Sequence, residues 1–246
     1  MKRLKNFLFL LAAVPVIAFA NEAGPQLDKA PINLADQDSL QRGARMFVNY
    51  CLNCHSASAM RYSRLQDIGL TEEQIKDNLM FAAEKPGEQM KVSMDKKEAK
   101  AWFGAAPPDL SVIARSRGAD WLYTYLRSFY RDDSRTTGWN NTVFDKVGMP
   151  HVLWGLQGEQ IAHFKTVIDH EGKETHAFDR FELVKPGSVT LAEYDAQVGD
   201  LVNYLTWMGE PAQLQRKKLG LIVLAFLAIF FVVAYYLKKE FWKDIH

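Results

Sequence analysis

Five residues, Cys51-Leu52-Asn53-Cys54-His55, narrow the folds open to this chain more than any other stretch. Two thiols three residues apart on a helical turn can each add to one vinyl group of a single haem. The adjacent histidine is then held beneath the ring, where a neutral imidazole binds iron. Cys51 and Cys54 are the only cysteines in the chain, so no disulfide framework competes for them. The alternative at this spacing, a thioredoxin-like redox pair, requires a strand before the motif and a βαβ pattern around it. Neither is visible. The motif predicts one covalent haem c on Cys51 and Cys54, with His55 as one axial ligand, and the haem adds apolar surface for the domain to cover.

The two ends differ. Met1 to Ala20 has Lys2, Arg3 and Lys5, an apolar run from Phe7, and Ala18-Phe19-Ala20. A basic n-region, an h-region and a small-x-small site read as a secretory signal over 1–20. An uncleaved anchor is the alternative, but the apolar run is short and interrupted by Pro15. Leu219 to Leu237 is nineteen residues without a charge, about 30 Å of helix and enough to cross a hydrocarbon core. Tyr235, Tyr236 and Trp242 suit an interfacial belt. Arg216, Lys217 and Lys218 precede the run and Lys238, Lys239 and Lys243 follow it. Charge alone therefore does not orient the helix; the exported N-terminal part does.

The formal net charge of +1 hides an asymmetry. Without the leader and the stretch from Arg216 onward, the chain holds 21 basic and 27 acidic residues, a net of −6. Such a field favours basic partners and argues against nucleic acid.

Along the chain, 21–37 is polar and extended. Asp38 or Ser39 is expected to cap a helix through Gly43, Phe47 and Tyr50 into the motif. Thr71–Gln74 is a capping box, and Asp95–Glu98 resembles another. Pro107-Pro108 is a turn. Asp120 is expected to cap a helix over Trp121–Tyr130, read as core. Ser134 to Trp154 reads as a long loop, a length that tends to be functional. Alternation from His163 to Val184 predicts a small hairpin turning at Asp169–Lys173. Thr190–Glu193 is a third capping box, opening a helix with Val198, Leu201, Val202, Leu205 and Trp207 on its apolar side and a stop at Gly209 and Pro211. The fold class is mostly α: a cytochrome c-like haem domain with long loop insertions and a small β excursion, plus one C-terminal transmembrane helix. The expected division is leader 1–20, exported domain 21–215, anchor 216–237 and cytoplasmic tail 238–246.

The sixth iron ligand is less legible. Met46 and Met60 lie too near the motif to cross to the other haem face, and Met208 sits on the closing helix. Met80, Met90, Met94 and Met149 remain. Met149 stands in Gly148-Met149-Pro150, where glycine lets the backbone approach a haem and proline stiffens the loop. His151, His163, His170 and His176 show no helical metal spacing and read as surface or locally hydrogen-bonded.

Taken in order, several stretches resemble the cytochrome c1 family, the haem subunit of ubiquinol–cytochrome c oxidoreductase (bc1) complexes, in its bacterial form. They are Arg42-Gly43, Cys51 to Ser56, Met60-Arg61-Tyr62 with Leu65, Pro107 to Ser111 with Arg115 and Arg117, Gly148-Met149-Pro150, the Leu205 to Pro211 segment and the C-terminal anchor. The resemblance implies Met149 as the second axial ligand and Arg117 against a haem propionate. It departs at Gly118-Ala119, which is shorter than the family pattern before Asp120, and at Trp121, where tyrosine is common. It further implies electron transfer: a Rieske iron–sulfur protein delivers electrons, cytochrome b is a neighbour, and a cytochrome c-type acceptor takes them away. The chain would act in an enzyme, quinol–cytochrome c reductase, as a subunit, with its haem domain on the periplasmic side of a bacterial inner membrane. A stand-alone membrane-anchored shuttle is the rival. A haem sensor or peroxidase would need a vacant sixth position.

Overall fold

The structure, a computed structural model, describes residues 26–92, 94–168 and 174–244. The expected leader, the turn at 169–173 with His170, and the last two residues of the tail lie outside them. Helix α1 (Gln37–Met46) starts where Asp36 Oδ1 accepts from the Ser39 amide at 3.0 Å. The cap is therefore Asp36 and not Asp38 or Ser39, because Asp36 is the extended residue from which a carboxylate can fold back onto the third helical amide. A wider π-turn, Phe47–Cys51, carries α1 into the motif.

Strand β1 (Ala57–Arg61), a 3₁₀ turn (Tyr62–Ile68) and α2 (Glu72–Asn78) follow, α2 opened by the expected capping box of Thr71 and Gln74. Strand β2 (Gln89–Met90) returns antiparallel to β1, with Met90 opposite Ala57. Helix α3 (Lys96–Phe103) is capped by Asp95 and stopped by Gly104 at φ 79°. After the proline turn come α4 (Ile113–Arg117) and α5 (Ala119–Arg127). Helix α5 differs from the Trp121–Tyr130 expected. Gly118, at φ 90°, makes the break before it. The Asp120 carboxylate lies in the first turn and accepts from the Ala30 amide at 2.8 Å. Beyond Ser128 the chain turns extended, because β3 (Phe129–Arg131) pairs with β4 (Trp139–Asn141). The expected 134–154 loop thus contains a strand, and α6 (Trp154–Gln157) closes it.

The β excursion is larger than the sequence suggested. Strands β5 (Gly158–Ile168) and β6 (Glu174–Pro186) form a long antiparallel hairpin, Phe164 opposite Phe178, with irregularities at Glu159/Gln160 and His163/Phe164. The extra residues, Val184 and Asp179, both lie on β6, where each shifts the alternation by one residue and obscures that strand's outer end in a period-2 reading.

Helix α7 (Leu191–Gly209) begins at the third capping box, and Val198, Leu201, Val202, Leu205 and Trp207 are all buried. It crosses α1 at Gly43, where a Cβ would sit 2.1 Å from the Asp200 carbonyl oxygen and 2.6 Å from Tyr204 Cβ. Only glycine permits that approach. Arg42 forks onto the Asp200 carboxylate at 2.6 and 3.1 Å beside it. Phe47 packs on Tyr204 with ring centroids 5.6 Å apart, so α7 braces the segment leading to the motif.

Helix α8 (Gln213–Phe241) runs 29 residues and buries no side chain within the chain. At 1.5 Å per residue it is about 44 Å long. It extends beyond the 216–237 expected at both ends. It is one helix, among the described residues, long and apolar enough to cross a membrane.

Candidate haem site

A cavity of about 540 Å³ opens between the motif, the proline turn, α4, α5 and the loop before α6. That volume lies within the roughly 300–1,000 Å³ of cofactor pockets. Cys51, Cys54, His55, Arg117 and Met149 all line it.

One wall is the motif itself. Burial, with the neighbouring Cys54, pushes the Cys51 thiol up to about 12, and burial also raises Cys54. A thioredoxin-like pair needs the opposite shift. His55 Nδ1 lies 2.7 Å from the Pro108 carbonyl oxygen. A carbonyl only accepts, so Nδ1 carries the proton and Nε2 keeps a free lone pair, the tautomer an iron ligand needs. Burial lowers the His55 pKa, which also favours neutral imidazole. The proline turn is stitched to the residues after the motif. Leu110 donates to the Ser56 carbonyl at 2.8 Å and Ala59 to Ser111 Oγ at 2.9 Å. Asp109 accepts from the Ser58 and Ser111 amides, each at 2.8 Å. Burial pushes the Asp109 carboxyl up, but these hydrogen bonds outweigh it and hold the pKa at about 2. The sequence marked Pro107-Pro108 as a turn only; a backbone acceptor leaves no letter behind.

The other wall carries Met149. Among the described residues, Met149 is the methionine that lines the cavity. Met90 is fully buried with its sulfur 3.8 Å from Tyr204 Oη, and neither Met80 nor Met94 reaches the cavity. A Cβ on Gly148 would lie 2.7 Å from the Phe103 carbonyl oxygen, so glycine is what lets this loop settle on the end of α3.

Two aromatics that the sequence assigned to the core, Tyr125 in it and Trp121 packed against it, also face the site. Trp121 and Tyr125 line the cavity and stack with centroids 4.8 Å apart. The Tyr125 hydroxyl donates to Met149 Sδ at 3.4 Å, and burial raises its pKa, keeping the proton in place. Helical spacing reported which residues share a face, but not that a cavity lies against that face. His151 is a correction. Read as a surface or locally bonded residue, it is 2% exposed, stacked on Phe129 at 4.9 Å and edge-on to Trp139 at 5.0 Å.

Arg117 lies with its guanidinium carbon 5.2 Å from the Trp121 ring centroid and, among the described residues, makes no ion pair. Arg115 pairs with Glu210 at 3.7 Å and does not line the cavity. The donor set fits a c-type haem: two thiols, an imidazole in the ligating tautomer, a thioether, a cation with no ion pair among the described residues and a mostly apolar lining.

The family model described as "Cytochrome C1 family" matches residues 28–245. The chain is 49% identical over 246 residues to the "Ammonia monooxygenase gamma subunit" of Nitrosomonas europaea, covering 100% of both chains. It is 47% identical to the "Cytochrome c1" of Allochromatium vinosum, again over 100% of both. To the mitochondrial "Cytochrome c1, heme protein" of Neurospora crassa it is 28% identical, over 84% of this chain and 62% of the relative.

Proposed function

Because this chain belongs to the cytochrome c1 family, we propose that it transfers electrons through one covalently bound haem c, as the cytochrome c1 subunit of a quinol–cytochrome c oxidoreductase. When bound, the haem supplies an iron that gains and loses single electrons. The protein's part is to bind, orient and tune. Cys51 and Cys54 would hold the ring through two thioethers. His55, its proton held on Nδ1 by the Pro108 carbonyl, would offer Nε2 to the iron. Met149 would offer its sulfur, and a thioether ligand would favour the ferrous state and raise the potential. Tyr125 keeps a hydroxyl proton on that sulfur. Arg117 is free to meet a propionate, where a fixed fork of donors suits a carboxylate that is costly to bury unpaired.

Helix α8 is the membrane anchor in this reading, with the haem domain on the periplasmic side and the last residues in the cytoplasm. The partners are cytochrome b and a Rieske protein on the donor side and a cytochrome c-type acceptor. The single observation that carries the proposal is the convergence of Cys51, Cys54, His55 and Met149 on one cavity. A second reading draws on the Nitrosomonas relative: the same haem chain could serve an ammonia-oxidising assembly with its residues in unchanged roles. Purification from membranes in mild detergent separates the readings. Co-purifying b-type haem with quinol-dependent cytochrome c reduction is the expected result. Ammonia oxidation in the purified assembly would support the second reading, and a haem protein that purifies alone would support the shuttle.

A further inference from the structure

The loop that brings Met149 to the cavity contains two asparagines that are nearly inaccessible, Asn140 at 4% and Asn141 at 1% exposure. Burying an amide is costly unless its hydrogen bonds are made, and here they are. Asn141 Nδ2 donates to the Tyr125 carbonyl at 2.8 Å. Its Oδ1 accepts from the amides of Val143 at 2.9 Å and Phe144 at 3.1 Å. Asn140 Oδ1 accepts from the amides of Asn141 and Lys146, both at 2.9 Å. Its Nδ2 donates to Asp132 Oδ2 and Asp145 Oδ1, both at 3.0 Å.

Two features of this network point toward the cavity. Lys146 is, among the described residues, the non-glycine with positive φ, 58°, a conformation that a residue with a Cβ rarely adopts. Asn140 holds the amide of that residue, three positions before Met149. Tyr125, meanwhile, is held at both ends. Its carbonyl takes the Asn141 amide, and its hydroxyl meets the Met149 sulfur. A ring is closed: Tyr125 backbone, Asn141, the loop, Met149, Tyr125 hydroxyl.

We propose that Asn140 and Asn141 are positioning residues for the axial thioether. Asn141 fixes the base of the loop on Tyr125, and Asn140 fixes the left-handed bend at Lys146, so that Met149 cannot swing away from the iron. The inference rests on reading Met149 as the axial ligand. Without either asparagine, the loop spends more time with the sulfur displaced. One lost buried hydrogen bond corresponds to about a tenfold rise in that open population.

The test uses the haem-loaded full chain in detergent. Two signals report the iron–sulfur bond: the weak red charge-transfer absorption of ferric haem bound to a thioether, and the rate at which carbon monoxide binds the ferrous form. Thermal unfolding is followed in parallel. Asn203→Ala is the control. Asn203 is fully buried and bonded to Asn33 and Ser39 in the core between α1 and α7, away from the loop. Asn141→Ala and Asn203→Ala should both lower the unfolding midpoint. Of these two variants, only Asn141→Ala, which removes three side-chain hydrogen bonds, should weaken the absorption and speed carbon monoxide binding, by at least about tenfold, the factor for one such bond. Asn140→Ala should do the same, and adding Lys146→Gly, which tolerates the left-handed bend unaided, should restore part of the loss. If Asn141→Ala yields no haem protein, the Asn140→Ala pair decides. Carbon monoxide rates in Asn141→Ala or Asn140→Ala no faster than in Asn203→Ala would overturn the proposal. Met149→Leu is measured alongside: if it keeps the red absorption, the ligand assignment fails first, and that outcome is distinct from failure of the asparagine clamp.

Discussion

The two walls of the cavity are built in different ways. On the motif wall, Cys51, Cys54 and His55 sit within five residues, on the turn that continues α1, and α1 is locked to α7 by backbone-close packing at Gly43. On the ligand wall, Met149 stands in an irregular loop held by side-chain amides and a single tyrosine. The first wall is braced by helix packing at Gly43 and by the Phe47–Tyr204 contact. The second is held by a few hydrogen bonds, each a small fraction of a domain's stability, so local opening of this wall is expected to cost less than global unfolding. If Met149 is the sixth ligand, as proposed, its loss would leave the attachment residues Cys51 and Cys54 on the other wall untouched.

The sharpest way to break this contrast uses one glycine from each wall. At Gly43 the obstructing atoms are the Asp200 carbonyl and Tyr204 Cβ, both fixed by the backbone of α7. Gly43→Ala should cost at least the upper end of the roughly 1–3 kcal/mol of overpacking, and the yield of haem-loaded protein should fall. At Gly148 the obstruction is the Phe103 carbonyl, 2.7 Å from a built Cβ, and the loop can move. Gly148→Ala should leave the unfolding midpoint closer to wild type while the thioether's charge-transfer absorption weakens. Equal falls in midpoint for the two variants would erase the distinction between the walls.

Met149→Leu addresses the ligand wall alone. Leucine conserves volume, so stability should change by less than about 1.5 kcal/mol. The haem should remain covalent, because Cys51 and Cys54 lie on the other wall, and its midpoint potential should drop in a redox titration. An unchanged potential would remove Met149 from the iron.

A smaller fall is expected from Arg117→Gln. Arg117 lines the cavity with no ion pair among the described residues, so its charge is available to favour ferrous iron and a propionate. Arg115, exposed as Arg117 is, lies off the cavity and pairs with Glu210 at 3.7 Å. Arg115→Gln should therefore shift the potential less. A larger shift for Arg115 would place the propionate elsewhere.

The smallest effect concerns acid. The folded Asp109 carboxyl is held at about 2, below its ordinary 3.8. Because the folded value is the lower one, its contribution is complete above the unfolded value and is lost as pH falls through about 2. Asp109 is exposed, so screening keeps the effect modest. Absorption at the haem, followed during acid titration, should change at higher pH in Asp109→Asn than in wild type. Coincident curves would show that the stitch between the proline turn and Ser58 does not steady the His55 wall.

What the sequence by itself determined was written in side-chain identity and period. The haem motif, the capping boxes at Thr71 and Thr190, the apolar side of α7 and the charge-free run within α8 each depend on residues near one another along the chain, so pattern was enough. Family resemblance, carried by Gly148-Met149-Pro150, selected Met149 from four methionines that local chemistry left open. Tertiary structure alone decided what lay between. It gave the N-cap role to Asp36, shortened α5 at Arg127 so that β3 could pair, lengthened the hairpin, buried His151 against Phe129 and Trp139, and set a cavity against the core residue Tyr125 and its neighbour Trp121. The reason is common to these cases. Each was settled by a distant neighbour: a strand partner, a carbonyl, an aromatic face or a sulfur. Backbone donors and acceptors are the same at nearly every position, so the bonds from His55 to Pro108 and from Asn141 to Tyr125 could be found only once the chain was folded.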